Sequence, residues 1–370
     1  VRPPPGGLLP GRPLPERILP PSGSSSMPTP LPPATFLCAD GPCLDVRTPA
    51  EYAQGHVPEA INLPLFSNEE RAQVGTTYKQ TGRDEALLLG LELVGPRLHT
   101  LVESARAAAP RGTPVRVHCW RGGMRSQSMA QLLEQAGHWA ATLAGGYKAF
   151  RRHALDVIAQ PRVLRVLGGL TGSGKTEVLH ALQAAGAQVI DLEGLAHHKG
   201  SAFGHIGEAP QPTTQQFEND LAMALAVLDP AQPVWVEDES RLVGHVPVPG
   251  ALWAQMQEAP VYVIDVPETV RVQRLVTVYS EADRSTLREA LENIRRRLGG
   301  ARTQAALDAL AVGDDETACR LALHYYDRAY RHGLARRTCV PVHRLKAVDP
   351  HPAALAQALL DHVQGTADAA

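Results

Sequence analysis

The chain has 370 residues, which is more than one hydrophobic core usually supports, so about two or three domains are expected. Its 36 Lys and Arg residues nearly balance 38 Asp and Glu residues, which excludes a global electrostatic field for binding nucleic acid and leaves only local basic patches. Its five cysteines lack CxxC or Cys/His ligand spacing, which argues against a disulfide framework or a metal site and favours a reducing cytoplasm.

The first region, residues 1–33, is dominated by Pro, Gly and Ser, and we expect it to form a disordered tail. Met27 is a candidate start of the protein, with residues 1–26 as an upstream extension, and the sequence leaves this open. No apolar run in the chain approaches the roughly 20 residues of a membrane-spanning helix. The sequence therefore predicts a soluble protein without a membrane partner.

A first α/β domain is predicted for residues 34–153, where short β-branched runs alternate with helical stretches. Residues 43–46 and 115–118 have the composition of strands, and apolar residues after Ser126 recur at helical spacing. Such alternation is typical of a parallel sheet that is covered by helices.

A second, doubly wound α/β domain is predicted for residues 160–280. Its strands are expected at 163–167, 188–190, 234–236 and 261–264, with helical segments between them. Residues 281–370 are charged and helix-forming, with apolar residues three or four positions apart, and we expect a helical C-terminal extension that packs on the second domain.

A reactive thiol is predicted at Cys119, which directly follows the strand 115–118. The active-site loop is expected to comprise Trp120, Arg121, Gly122, Gly123, Arg125 and Ser126. Backbone N–H groups of such a strand-to-helix loop can converge on one centre, and the arginines and the helix N-terminus add positive charge, so a thiolate is stabilised. A buried core thiol is the alternative, but packing alone does not require arginines and glycines after a cysteine. Trp120 suits either stacking on an RNA base or packing inside the domain.

A phosphate-binding loop is predicted at residues 169–176, which match G-x-x-x-x-G-K-[ST] between a strand and a helix. The expected phosphate-binding residues are Gly169, Thr171, Gly172, Ser173, Gly174, Lys175 and Thr176. The glycines let the backbone wrap an oxyanion, Lys175 supplies a positive charge, and the Thr176 hydroxyl can hold Mg²⁺. ATP, GTP and other diphosphates fit such a loop equally well.

Acidic residues follow the strand 234–236, at the place where a phosphate-binding fold carries a carboxylate that positions a metal ion. Glu237 and Asp238 are the candidates, although a solvated acidic strand end explains them equally well. The adjacent His197 and His198 are expected to be structural or to face RNA, because neighbouring side chains diverge and no further metal ligands stand nearby.

The first domain resembles the rhodanese sulfurtransferases over most of its length. Three stretches carry this resemblance, at 44–52, 55–64 and 143–148. The resemblance implies that Cys119 is a chalcogen-carrying nucleophile. Asp45, Arg47 and His56, which lie within these stretches, are expected to be structural, since charged groups are seldom buried unless they are paired.

Both domains together are similar to the tRNA 2-selenouridine synthase family, from about residue 34 to residue 334. Further stretches carry this likeness, at 68–80, 191–196, 198–204, 217–219, 237–241 and 325–330. It implies a rhodanese-like parallel sheet domain, then a P-loop NTPase-like doubly wound domain. It also implies that tRNA exchanges sulfur for selenium at its wobble 2-thiouridine, through S-geranylation by geranyl diphosphate and then displacement using selenophosphate. We assign the diphosphate to the loop 169–176 and the selenium chemistry to Cys119.

Contact with tRNA phosphates is expected from a local basic cluster. Its residues are Lys199, Arg295, Arg296, Arg297 and Arg302, followed along the chain by Arg328, Arg331, Arg336 and Arg337. A solvated helix face is the default explanation of such a run, and the family resemblance favours RNA. Lys199 stands where the family pattern has Arg, so that a bidentate phosphate contact is lost there.

Two other functions fit parts of the sequence. A rhodanese-type sulfurtransferase could be coupled to a nucleotide-hydrolysing P-loop domain, or the rhodanese fold could be a catalytically silent binding module. Cys119 and Lys175 count against the silent module, which would need neither residue. The choice of tRNA, the arrangement of the domains and the oligomeric state are left open by the sequence.

Overall fold

The computed structural model describes residues 28–367, so most of the predicted tail, residues 1–27, lies outside the described residues. The chain forms two compact units. The first unit extends to Tyr52 and continues over Glu59–Phe150, and the second consists of Ala53–Pro58 and the chain from Arg151 onward.

The first unit contains a parallel sheet, which in the described part of the chain has five strands in the order β1-β5-β4-β2-β3. The strands are β1 Thr29–Leu31, β2 Cys43–Asp45, β3 Ile61–Asn62, β4 Pro114–His118 and β5 Trp139–Leu143. The helices that connect and follow them are α1 Pro33–Cys38, α2 Pro49–Gln54, α3 Asn68–Gln80, α4 Arg83–Val94, α5 Leu98–Ala108, α6 Met124–Gln135 and α7 Gly146–Ala159. Parallel neighbours need such crossover connections.

The core of this unit forms where the sheet packs against its helices. Val115 and Val117 of β4 are buried and contact Met129 and Leu133 of α6 in one cluster. Because side chains alternate along a strand, Val115 and Val117 lie on the same face of the sheet, and α6 covers that face. This packing fixes the direction in which the chain leaves β4, directly before Cys119.

The end of the predicted disordered tail is ordered. Residues Thr29–Leu31 form β1 and pair with β5 in parallel, with Pro30 opposite Thr142. The prediction of disorder was therefore wrong for these residues. A proline is tolerated there because β1 is an edge strand, which pairs on one side only.

The second unit contains another parallel sheet, with the order β12-β11-β6-β8-β7 among the described residues. Its strands are β6 Leu164–Gly169, β7 Gln188–Ile190, β8 Val234–Glu237, β11 Val261–Asp265 and β12 Val342–Lys346, and a hairpin is formed by β9 Leu242–Val243 and β10 Val246–Pro247. The helices are α8 Lys175–Ala184, α9 Leu192–Ala196, α10 Thr214–Ala226, α11 Gly250–Glu258, α12 Glu268–Val278, α13 Arg284–Asn293, α14 Arg295–Leu298, α15 Gly300–Ala311, α16 Asp315–Ala335 and α17 Pro352–Ala367.

The predicted α/β class and the phosphate loop between a strand and a helix are confirmed, while the C-terminal extension is not wholly helical. Residues Val342–Lys346 form β12, which extends the sheet beside β11, and α17 then packs on α8. The polar residues of this strand gave no clear periodicity, and its pairing with β11 decides its structure. Over residues 28–367, no helix is long and apolar enough to cross a membrane.

Candidate functional site

Cys119 lies between the end of β4 and the start of α6 and is buried. Its Sγ is 3.2 Å from the Oγ of Ser126, and that hydroxyl donates to the carbonyl oxygen of Gly123 at 3.2 Å. The first N–H groups of a helix have no acceptor within the helix, and they carry its partial positive charge. The sulfur therefore lies in the strand-to-helix loop where the sequence predicts it, beside the N-terminus of α6.

The loop after Cys119 is shaped by close backbone contacts that only glycine permits. Gly122 has a φ of +67°, and a Cβ there would lie 2.7 Å from the carbonyl oxygen of Leu143. Gly146 has a φ of +61°, and its Cβ would lie 2.5 Å from the carbonyl oxygen of Cys119. That carbonyl also accepts from the N–H of Tyr147 at 2.8 Å. The segment after β5 thus holds the cysteine loop in place.

The two arginines of this loop differ in their surroundings. Arg125 forms an ion pair with Glu51, with 2.8 Å between Nη1 and Oε2, whereas Arg121 is exposed. Although burial opposes it, the hydrogen bond from Arg125 lowers the pKa of Glu51. Arg121 is therefore the loop arginine whose charge is available to an incoming anion.

Asp45 and Arg47 form the buried ion pair that the sequence suggested, with 2.6 Å between Oδ2 and Nη2. Burial opposes ionisation of Asp45, but the nearby His118 and the Arg47 guanidinium lower its pKa. The guanidinium of Arg47 lies 3.7 Å from the ring centre of Tyr147, whose ring is 5.8 Å from that of Trp120. Trp120 thus packs inside the unit on one side, beside the nucleophile, and stays partly exposed.

The phosphate loop of the second unit connects β6 to α8. Gly172 and Gly174 have φ values of +80° and +83°, so the backbone turns as the motif predicts. The Nζ of Lys175 lies 3.3 Å from the carbonyl oxygen of Gly169. The Oγ of Ser173 is buried and has no hydrogen-bond partner among the described residues. The loop therefore carries the lysine cation and, at Ser173, a buried hydroxyl that can still form a hydrogen bond.

Two arginines of α12, which the sequence analysis missed, hold this loop. Arg271 donates to the carbonyl oxygen of Thr171 at 3.0 Å and forms a bidentate pair with Asp327, at 2.9 and 2.8 Å. Arg274 donates to the carbonyl oxygen of Gly172 at 3.2 Å. Two arginines three positions apart are also common on a solvated helix face, so the sequence does not distinguish these loop-binding arginines from surface arginines.

Asp238 and Glu237 have different environments at the end of β8. Asp238 accepts from Arg337 at 2.6 Å and from the hydroxyl of Tyr330 at 3.0 Å, and that hydroxyl accepts from the N–H of Gly169 at 3.0 Å. Burial raises the pKa of Asp238, while Arg337 opposes the rise. Asp238 thus anchors the start of the phosphate loop through Tyr330.

Glu237 is fully buried and accepts from the N–H of Leu192 at 3.0 Å. Burial and the neighbouring carboxylate of Asp191 raise its pKa well above the usual range, which favours the neutral acid. The carboxylate that contacts Thr176 is instead that of Glu193, which accepts from the Thr176 hydroxyl at 2.7 Å. Within residues 28–367, no group of three or more His, Cys, Asp or Glu side chains has the geometry of a metal site.

Arg337, one of the predicted basic residues, is largely buried in its ion pair with Asp238, so its charge is not available to tRNA. The remaining basic residues fall into two groups. Lys199 is 3.0 Å from a carboxylate oxygen of Glu208, so its charge is already paired. The others lie at or after α14: Arg295 pairs with Glu292 at 2.8 Å, Arg297 donates to the hydroxyl of Tyr325 at 3.2 Å, and Arg296 and Arg302 are exposed. The exposed arginines keep their charge accessible to solvent.

In comparisons with known proteins, two family models match the N-terminal and C-terminal parts of the chain separately. The family model described as "Rhodanese-like domain" matches residues 37–153, and the model described as "tRNA 2-selenouridine synthase AAA domain" matches residues 162–349. A curated tRNA 2-selenouridine synthase from Shewanella loihica is 37% identical over 337 residues, which cover 82% of this chain and 89% of that protein. Relatives with the same name from Cronobacter sakazakii and Bordetella bronchiseptica are 38% and 39% identical, cover 80% of this chain, and are themselves covered to 87% and 89%.

Proposed function

Because the chain belongs to the tRNA 2-selenouridine synthase family, we propose that this tRNA-modifying transferase replaces sulfur by selenium at the wobble 2-thiouridine. The proposal has two half-reactions, S-geranylation from geranyl diphosphate and selenation from selenophosphate. The observation that carries it is the presence, in one chain, of a cysteine in the loop before a helix N-terminus, in contact with the Ser126 hydroxyl, and of a phosphate loop with its lysine in place.

The phosphate loop serves geranylation. The thiocarbonyl sulfur attacks C1 of geranyl diphosphate, a C–S bond forms, the C–O bond to diphosphate breaks, and the base loses its N3 proton. Charge builds up on the leaving diphosphate, where Lys175 and the N–H groups at the start of α8, which lack acceptors within the helix, stabilise it. Mg²⁺ would be held by the oxygens of Thr176 and Glu193, which are ligands that it accepts, and would neutralise part of this charge.

Cys119 serves selenation. The selenium of selenophosphate is already fully reduced, so storing it as a perselenide on Cys119 would require an oxidant. Attack by the Cys119 thiolate on C2 of the S-geranylated base requires none. Geranylthiol leaves with a proton, the selenium of selenophosphate then displaces the Cys119 sulfur from C2, and water takes the phosphoryl group as phosphate.

We further propose that the exposed Arg296 and Arg302 contact tRNA phosphates, because their charges are accessible, whereas Lys199 is held by Glu208. The five cysteines are all unpaired, and a mechanism that needs the Cys119 thiolate suits a reducing cytoplasm.

The test is mass spectrometry of the nucleosides of a thiolated tRNA incubated with the full chain. With geranyl diphosphate alone we expect S-geranyl-2-thiouridine, and with selenophosphate added we expect 2-selenouridine. In a Lys175→Ala variant the first product should form at least tenfold more slowly. An unaltered geranylation rate in that variant would overturn the assignment of the loop, and nucleotide hydrolysis with sulfur transfer from thiosulfate would favour the coupled sulfurtransferase.

A further inference from the structure

An apolar cavity of about 90 Å³ lies within the second unit, between helices α12, α13 and α16. Its lining is formed mainly by hydrocarbon and aromatic side chains, among them Leu275, Tyr279, Leu287, Leu291, Ala322 and Tyr326. A cavity of this composition disfavours water, since a water molecule needs polar partners. It is therefore suited to an apolar group.

The cavity adjoins the phosphate loop. Thr171 of the loop is part of the lining, and a Cβ at Gly172 would lie 2.8 Å from a methyl carbon of Leu275. Helix α12 thus contributes to both places, because Arg271 and Arg274 donate to loop carbonyl oxygens while Leu275 and its neighbours line the cavity. One elongated ligand can place an anionic end in the loop and an apolar end in the cavity.

Two polar groups of the lining are bonded to other protein groups. The hydroxyl of Tyr326 accepts from the N–H of Ala202 at 3.0 Å, and the carboxylate of Asp315 pairs with Arg284. Burial raises the pKa of Tyr279 to about 12 and that of Cys319 to about 11, which agrees with a site poorly accessible to water. The lining therefore binds a hydrocarbon group more favourably than a polar group.

We propose that this cavity receives the hydrocarbon chain of an isoprenyl diphosphate whose diphosphate lies in the loop 169–176. The inference rests on the proposed geranylation activity and deepens it, because it assigns the chain-binding walls to α12, α13 and α16. It also implies that these three helices determine which length of isoprenyl chain binds best.

The experiment compares the binding of geranyl diphosphate and of inorganic pyrophosphate to the full chain by calorimetry. The wild-type chain should bind geranyl diphosphate at least tenfold more tightly, because the hydrocarbon adds apolar burial. Ala322→Leu fills the cavity and should remove most of this advantage while pyrophosphate binding is kept. Ala329→Leu, the same change at an exposed position of α16, should keep the full advantage.

A second cavity variant keeps the test valid if Ala322→Leu does not fold. Leu291→Ala enlarges the cavity and should shift the preference from geranyl towards farnesyl diphosphate by at least threefold. Pyrophosphate binding without any advantage for geranyl diphosphate, or an advantage unchanged in both cavity variants, would overturn the cavity inference alone. A wild-type chain that binds neither ligand would overturn the proposed role of the phosphate loop together with it.

Discussion

The hydroxyl of Tyr330 connects the phosphate loop to the acidic end of β8, and we predict that its removal destabilises the second unit and weakens phosphate binding. The hydroxyl accepts from the N–H of Gly169 at 3.0 Å and donates to Asp238 at 3.0 Å. Burial and the Asp238 carboxylate raise the pKa of Tyr330, so the hydroxyl stays protonated at neutral pH. Tyr330→Phe removes both hydrogen bonds and keeps the ring.

The magnitude follows from the two partners that lose a hydrogen bond. Each buried polar group left unsatisfied costs about 1–3 kcal/mol, so the loss of two hydrogen bonds in Tyr330→Phe should lower the free energy of unfolding of the second unit by about 2–6 kcal/mol. Arg337 still pairs with Asp238, which places the effect towards the lower end. Because Gly169 begins the phosphate loop, pyrophosphate affinity should fall as well.

The assay is urea unfolding of the full chain, together with pyrophosphate binding. Tyr325→Phe is the matched control, since the Tyr325 hydroxyl accepts from Arg297 at the surface, where such a bond contributes about 0–1 kcal/mol. If Tyr330→Phe destabilised the chain no more than Tyr325→Phe, and pyrophosphate bound equally well, the reasoning about the loop anchor would be refuted.

Three further predictions concern the cysteine loop, acid stability and RNA. Gly146→Ala should slow selenation at least tenfold by pushing the backbone of the cysteine loop, whereas Gly112→Ala, also at positive φ but with open space around it, should cost only about 1 kcal/mol of stability and no rate. The pKa of Asp45 is lowered in the folded state, so its stabilising contribution is present above the ordinary value of 3.8 and is lost as pH falls through the folded pKa. In Asp45→Asn, the free energy of unfolding should therefore depend less on pH in this acid range. Replacing Arg296 and Arg302 by Ala should weaken tRNA binding and reduce the slope of log affinity against log salt by about 1–2, and an unchanged slope would exclude these phosphate contacts.

Local patterns made much of the architecture predictable. The strand before Cys119, the glycines after it, and the strand-loop-helix order around Lys175 are all encoded within about ten residues, and hydrophobic periodicity carries such local information. The structure has both loops at those positions. The α/β class follows from the same alternation.

Features that depend on distant pairing were not predictable. Arg271 and Tyr330 reach the phosphate loop from about 100 and 161 positions along the chain, and no spacing rule connects them. Glu193 contacts Thr176 only because α9 follows β7 at the same sheet edge as the loop. Strand β12 forms because its backbone pairs with β11, although its own residues have little strand character.

The most direct test of the central claim is the selenation half-reaction with a Cys119→Ser variant. Supplied with S-geranylated tRNA and selenophosphate, the wild-type chain should form 2-selenouridine, and Cys119→Ser should leave the S-geranylated base unchanged while still geranylating fresh thiolated tRNA. Cys38→Ser, which removes an exposed thiol, should behave as wild type. Formation of 2-selenouridine by Cys119→Ser at the wild-type rate would contradict the role assigned to this thiolate.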